Sequence, residues 1–451
     1  MSDNRKLTRE EEELRRRQRA KRLKEQRRRR RQKAIILRIV CVIIFIGMIL
    51  GIVFGMKSCS KENKKRAQQA VARQEEETRM EEEKKQQSEN ILIKAEQMAA
   101  QYDYDGAIAA MKGLEDYEKD PDITAKITAF EKDKAGMAAY DVEQVEHFFF
   151  RSLIVDPELA NASEDASVQT ANQNTMTVDA FNQLLQKLYD NGYILVSIRD
   201  LVKEGKNDKG EAQFEKGTLM LPPGKKPFVL SQEDVSYPFS MASTGRGSRI
   251  VTGEDKKPAV EYQQADGSAI TGDYDVVPCL DTFIENHPDF AYHNARGILG
   301  LTGYNGVLGY RTDEDLGKST EEGNVYGNYG TFDTAAETKS ARTVIQALKD
   351  DGWEFASNGY SGMSYASTLD RVQADAQKWQ ERVGILTGGS DILLYPGGTD
   401  IASWTDYSKN DQKYVYLKSL GFNFFCNIDN SNTYWTQIRS DYVRQARKKT
   451  E

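Results

Sequence analysis

Two adjacent carboxylates, Glu233 and Asp234, follow a short apolar run, Phe228-Val-Leu230, set between Pro227 and Pro238. Such a run reads as a buried strand. Acidic side chains at the carboxyl end of a strand stand where α/β folds place their chemistry. One carboxylate there can hold a metal while its neighbour takes a proton from the metal-bound water. A strand ending in a solvated acidic turn fits the same residues. A glycosidase pair is a poorer match, because adjacent side chains point apart and no second acid is identifiable. No Gly-x-Ser-x-Gly elbow is present for a serine nucleophile. The four cysteines (Cys41, Cys59, Cys279, Cys426) show no Cys-x-x-Cys spacing, which argues against a zinc ribbon or redox motif. They read as free thiols, buried where the fold covers them. The three histidines, His147, His287 and His293, read as packing or surface residues.

The elements that must position these residues begin near His147. His147 to Val155 is strand-like, and Met176 to Asp190 is amphipathic with Thr177 as its cap. Tyr193 to Ser197 is a strand, Ile198 to Val202 opens a short helix, and Phe228 to Leu230 is the next strand. Ser248 to Ile270 predicts a β-hairpin excursion. A helix comes after Pro278, then a strand over Arg296 to Thr302. Helices over 341–351 and 368–383 alternate with strands over 353–357 and 392–395. Tyr414 to Ser419 is helical, and Phe422 to Cys426 is the last strand the pattern supports. This alternation predicts an α/β fold with parallel strands.

Ahead of that domain the chain is organised differently. Residues 1–66 hold 22 Lys/Arg against 7 Asp/Glu, about +15, which leaves about −22 for the remainder of a chain whose net charge is −7. Residues 34–56, AIILRIVCVIIFIGMILGIVFGM, are apolar apart from Arg38 and are long enough to span a bilayer with some tilt. The basic arm 1–33, with five consecutive arginines from Arg27, predicts a cytoplasmic N-terminus and an extracellular C-terminal part. This topogenic role is sufficient for the arm, so nucleic acid is not expected as a partner. Residues 57–89 read as a charged stalk. Residues 90–137 read as a small helical hairpin resembling one tetratricopeptide-type unit, turning at Tyr102-Asp-Tyr-Asp-Gly106.

Leu230-Ser-Gln-Glu-Asp234, Phe355-Ala-Ser-Asn-Gly-Tyr-Ser-Gly362 and Leu394-Tyr-Pro-Gly-Gly-Thr-Asp400 occur in that order at strand ends. In order and setting they resemble the motifs of the polysaccharide deacetylases of the NodB-homology type, in their membrane-anchored Gram-positive form. The resemblance covers about 145–445 and implies a distorted (β/α) barrel. It assigns the catalytic base position to Glu233 and the metal aspartate to Asp234. Asn358 and Gly362 fall where the two metal-binding histidines are expected. Tyr360, Tyr395, Pro396, Gly397, Gly398 and Trp404 are implied to line the substrate groove. One carboxylate and one neutral amide are too few donors for zinc, so zinc or another divalent metal is expected only if the protein is active. The resemblance also implies a further strand beyond Phe422–Cys426, absent from the pattern. Three functions are consistent with these residues. The first is an impaired homologue that binds cell-wall N-acetylated glycan, anchored in the bilayer by 34–56. The second is an active metal-dependent deacetylase of peptidoglycan or a related polysaccharide. The third is a structural or scaffolding ectodomain.

Overall fold

The computed structural model describes residues 38–48, 61–315 and 332–450, apart from 165, 174, 242, 254–255, 403–404 and 430. The chain divides into two units, Met1–Asn90 and Ile91–Glu451. In the first, residues 38–48 form a helix whose Ile39, Val42, Ile43, Ile44, Ile46 and Met48 side chains are all exposed. Among the described residues no helix is long and apolar enough to cross a membrane. The rest of the expected span 34–56 and the basic arm 1–33 lie outside the described residues. The described part of the expected stalk, from residue 61, belongs to one helix, Lys61–Ala100.

The second unit opens on the end of that helix and two more, Tyr104–Lys112 and Pro121–Ala135. Asp103 caps the first by accepting from the Gly106 amide, and Asp120 caps the second through the amides of Asp122 and Ile123. Glycine is needed at 106, because a Cβ there would fall 2.2 Å from the Asp103 carboxylate. Ala95, Ala99, Ala107, Ile108, Met111, Leu114, Ile123 and Ile127 bury a small core of their own. Tyr102 fastens this hairpin to the α/β domain: its hydroxyl donates to the Asp289 carbonyl at 2.9 Å and its ring stacks on Tyr292.

The remainder is mixed α/β around one curled sheet. Its strands, in chain order, are β1 Glu146–Phe150, β2 Tyr193–Leu195, β3 Lys226–Gln232, β4 Ile298–Leu301, β5 Glu354–Ser357, β6 Ile392–Leu394, β7 Phe424–Ile428, β8 Thr436–Ile438 and β9 Val443–Arg447. The spatial order is β8-β9-β7-β6-β5-β4-β3-β1, with β2 beside the start of β3. Every pairing is parallel except β8 with β9. The curl brings β1 to the end of β9: the Phe149 amide donates to the Lys448 carbonyl and the Lys448 amide to that of His147.

Alternate residues therefore face in and out. Val229, Ile298, Ala356, Ile392, Leu394, Phe424, Cys426 and Val443 pack in one cluster. Phe148, Phe228, Leu230, Leu299, Leu301, Phe355, Leu393 and Phe425 belong to the other, with the helices Val178–Asp190, Val276–Asn286, Thr334–Asp351 and Leu369–Trp379. Burial on both faces is what near-continuous apolar strands in a parallel sheet require.

Two expectations need correction. The excursion at 248–270 is three strands, Gly247–Thr252, Pro258–Gln263 and Ala269–Gly272, not a two-stranded hairpin. The further strand thought absent is β9, whose five residues, Val-Arg-Gln-Ala-Arg, are all buried. It reads as a polar tail because the partners that neutralise its arginines lie far away in sequence.

Candidate functional site

The three motif segments converge where β3, β5 and β6 end. Glu233 is 3 % exposed, and its amide donates to the Phe150 carbonyl at 2.8 Å. Its Oε1 lies 2.8 Å from Nη1 of Arg447, at the end of β9, and its Oε2 lies 3.7 Å from Nη2 of Arg151. The close pair is a charge contact off the hydrogen-bonding direction, since Oε1 and Nη1 both lack a hydrogen-bond partner. Arg447 is fully buried over the Phe149 ring. The base position thus carries a carboxylate locked to a guanidinium.

Asp234 turns away from Glu233 through a left-handed backbone, φ 50°. Its Oδ1 accepts from the hydroxyls of Thr302 (2.6 Å) and Ser236 (2.8 Å), and Tyr304 points its hydroxyl at Oδ2 from 3.4 Å. Asn358 is 4 % exposed. Its Oδ1 accepts from the Asp234 amide at 3.2 Å and its Nδ2 donates to the Leu394 carbonyl at 2.9 Å. The amide therefore ties β3, β5 and β6 together at the place where a metal-binding nitrogen is expected. Gly362 has φ 71°, and the nearest atom to a Cβ there would be Thr302 Cγ2 at 4.0 Å.

The aromatic side chains expected to line a groove are interior posts. Tyr360 is buried, with its hydroxyl on Asp313. Its loop is clamped by Asp375, which accepts from the amides of Tyr360 and Ser361 at 2.8 and 2.9 Å. Tyr395 is also buried. Its hydroxyl meets that of Tyr407 at 2.9 Å, and Tyr407 donates to Asp400 Oδ1 at 2.9 Å. Asp400 Oδ2 accepts from Arg444 Nε at 2.8 Å, and that guanidinium lies over the rings of Tyr407 and Trp435. Burial pushes the Asp400 carboxyl up, against the pull of Arg444. Pro396 and Gly398 are buried and Gly397 is exposed; Trp404 lies outside the described residues. Tyr360 and Tyr395, expected to line the substrate groove, are buried with no ring face open.

Zinc does not fit this donor set. Asp234 has hydroxyl donors on both oxygens, Asn358 has spent its amide, and Gly362 has no side chain. Among the described residues no group of three His, Cys, Asp or Glu side chains could hold a metal ion. The histidines are engaged elsewhere. His147 is fully buried between Gln445 and Ser231, 2.9 Å from each, and burial with the nearby Arg447 charge pushes its pKa well below the usual value. His287 packs against Tyr189 and Phe283, and His293 stacks on Tyr292.

Sequence reasoning missed Arg151, Thr302, Arg444 and Arg447. The one available signal was the Arg-x-x-Arg spacing at 444–447, which puts the two guanidiniums on opposite faces of a strand. Arg444 accordingly reaches Asp400 outside the curl and Arg447 reaches Glu233 within it. No protein-family model matches the chain, and no curated protein matches it.

Proposed function

We propose that this chain is a membrane-anchored, extracellular protein of the polysaccharide deacetylase type that has lost metal chemistry and binds N-acetylated cell-wall glycan. The observation that carries the reading is the state of the metal-binding positions: Asp234 and Asn358 are tied to each other and to neighbouring strands by hydrogen bonds. The distorted (β/α) barrel implied by the resemblance is supported by the curl that joins β1 to β9. The exposed apolar side chains between Ile39 and Met48 support the anchor, since such a surface is stable against lipid.

The test uses the full chain in detergent micelles. After dialysis against zinc, the wild type retains less than about one tenth of an equivalent, as a single carboxylate already engaged by hydroxyl donors binds zinc weakly. An Asn358→His/Gly362→His variant gains zinc, although the positive φ at 362 strains the backbone by about 1–3 kcal/mol. The wild type also sediments with purified peptidoglycan. Stoichiometric zinc in the wild type would replace this reading with an active deacetylase. A metal-free protein that does not sediment would be a scaffolding ectodomain.

A further inference from the structure

We propose that the cavity at the seam between β1 and β9 is a subsite for the carboxylate of an acidic saccharide; the proposal rests on the glycan-binding reading above. The cavity has a volume of about 240 Å³ and lies against Phe149, Phe150, Arg151, Gln173, Met176 and Lys449. Pockets for drug-sized ligands run from about 300 Å³ upward, so this one suits a single sugar ring or its substituent. Its lining combines apolar surface from Phe149, Phe150 and Met176 with the cations Arg151 and Lys449. Among the described residues no acidic side chain lines it.

The charge arrangement behind the lining points to an anion. Among the described residues Glu233 is the carboxylate in contact with Arg151, and it already has the buried Arg447 at 2.8 Å. Two guanidiniums thus share one carboxylate. Arg447 is the partner that Glu233 cannot lose, because both are removed from water. Arg151 touches Glu233 only at 3.7 Å and keeps 49 % of its side chain exposed. A ligand carboxylate can take both nitrogens of its fork at about 2.7–2.9 Å, a geometry that Glu233 does not offer. Arg447 stands behind Arg151 on the same carboxylate, with its Nε and Nη1 buried and without a hydrogen-bond acceptor.

The test is binding of N-acetylmuramic acid and N-acetylglucosamine to the full chain in detergent micelles, measured by titration calorimetry. The two sugars differ by a lactyl carboxylate. The acidic sugar binds at least about tenfold more tightly, and Arg151→Gln reduces it to the level of the neutral one. Arg151→Lys retains an intermediate affinity, because an ammonium keeps the charge without the fork. Arg151 is half-exposed, so the unfolding midpoint of these variants stays unchanged. Lys449→Gln, on the opposite side of the seam, weakens the acidic sugar selectively as well. Equal affinity for the two sugars, or no effect of either Gln substitution, overturns the subsite and leaves glycan binding standing if peptidoglycan still sediments the protein. Loss of both sugars and of peptidoglycan sedimentation overturns both readings.

Discussion

Where β5 and β6 begin, Arg199 donates to Glu354 at 2.7 Å, to Asp391 at 2.7 and 3.2 Å and to Glu204 at 3.1 Å. Where β3 and β9 finish, Arg447 stands beside Glu233 without hydrogen-bond geometry. The first arginine is partly exposed and well bonded; the second is buried and poorly bonded. Other buried polar atoms show the same division. Gln232 Oε1, Glu233 Oε1, Asn427 Oδ1 and Arg447 Nε and Nη1 all lack hydrogen-bond partners and all lie within one residue of a strand's carboxyl end. Arg246 Nη1 is the remaining such atom among the described residues. Each unsatisfied buried group costs about 1–3 kcal/mol. A fold tolerates such costs at the end where it binds ligands, and satisfies its charges at the end that only holds the strands together.

The largest test of this contrast is Arg447→Met. Removing the buried partner leaves Glu233 charged with only the half-exposed Arg151 at 3.7 Å, so denaturant unfolding is expected to show a loss of about 3–5 kcal/mol. Adding Glu233→Gln to the same chain recovers at least half of it. A loss below about 1 kcal/mol, the scale of an exposed pair, would dissolve the distinction between the two ends.

A smaller effect comes from His147. Its folded pKa is depressed below an unfolded value of about 6.5, so the unfolded chain binds the extra proton. The contribution is fully present above about pH 6.5 and is lost as pH falls toward the folded value, by up to about 1.4 kcal/mol per pH unit. The buried carboxylates Asp275 and Asp400, pushed up by burial, act in the opposite sense. The check is therefore the difference between wild type and His147→Gln, measured from about pH 7 to about pH 5. The variant's profile is flatter on the acid side, and parallel profiles would remove His147 from the account.

The smallest effect is expected at the well-bonded end. Arg199 is 41 % exposed, so Arg199→Ala costs about 1 kcal/mol, and less in high salt. A cost equal to that of Arg447→Met would mean that exposure does not separate the ends.

Much of the scaffold was legible because its signals are local. Thr177 caps its helix by accepting from the Ala180 amide, and Asp103 with Gly106 closes the hairpin turn. The apolar strand cores β3, β5, β6 and β7 stand where their patterns put them. What could not be read was any residue whose meaning depends on a distant partner. β9 carries two arginines whose carboxylates are Asp400 and Glu233, and neither is visible from Val443-Arg-Gln-Ala-Arg447. Tyr360 and Tyr395 look like groove residues in sequence, because aromatic type and strand-end position say nothing about which face is covered.

The chain by itself determined the alternation of strands and helices, the apolar segment at 34–56, the opposite charge of its two parts and the absence of histidine at 358 and 362. Hydrophobic period, capping side chains and side-chain chemistry act over a few residues, so they survive as sequence. The tertiary structure decided that Glu233 is locked to Arg447, that Asn358 accepts from the Asp234 amide, and that a cavity holding Arg151 and Lys449 in its lining opens past the end of β1. Those outcomes depend on which strand ends the curl brings within about 3–4 Å, the range over which buried charges and hydrogen bonds act.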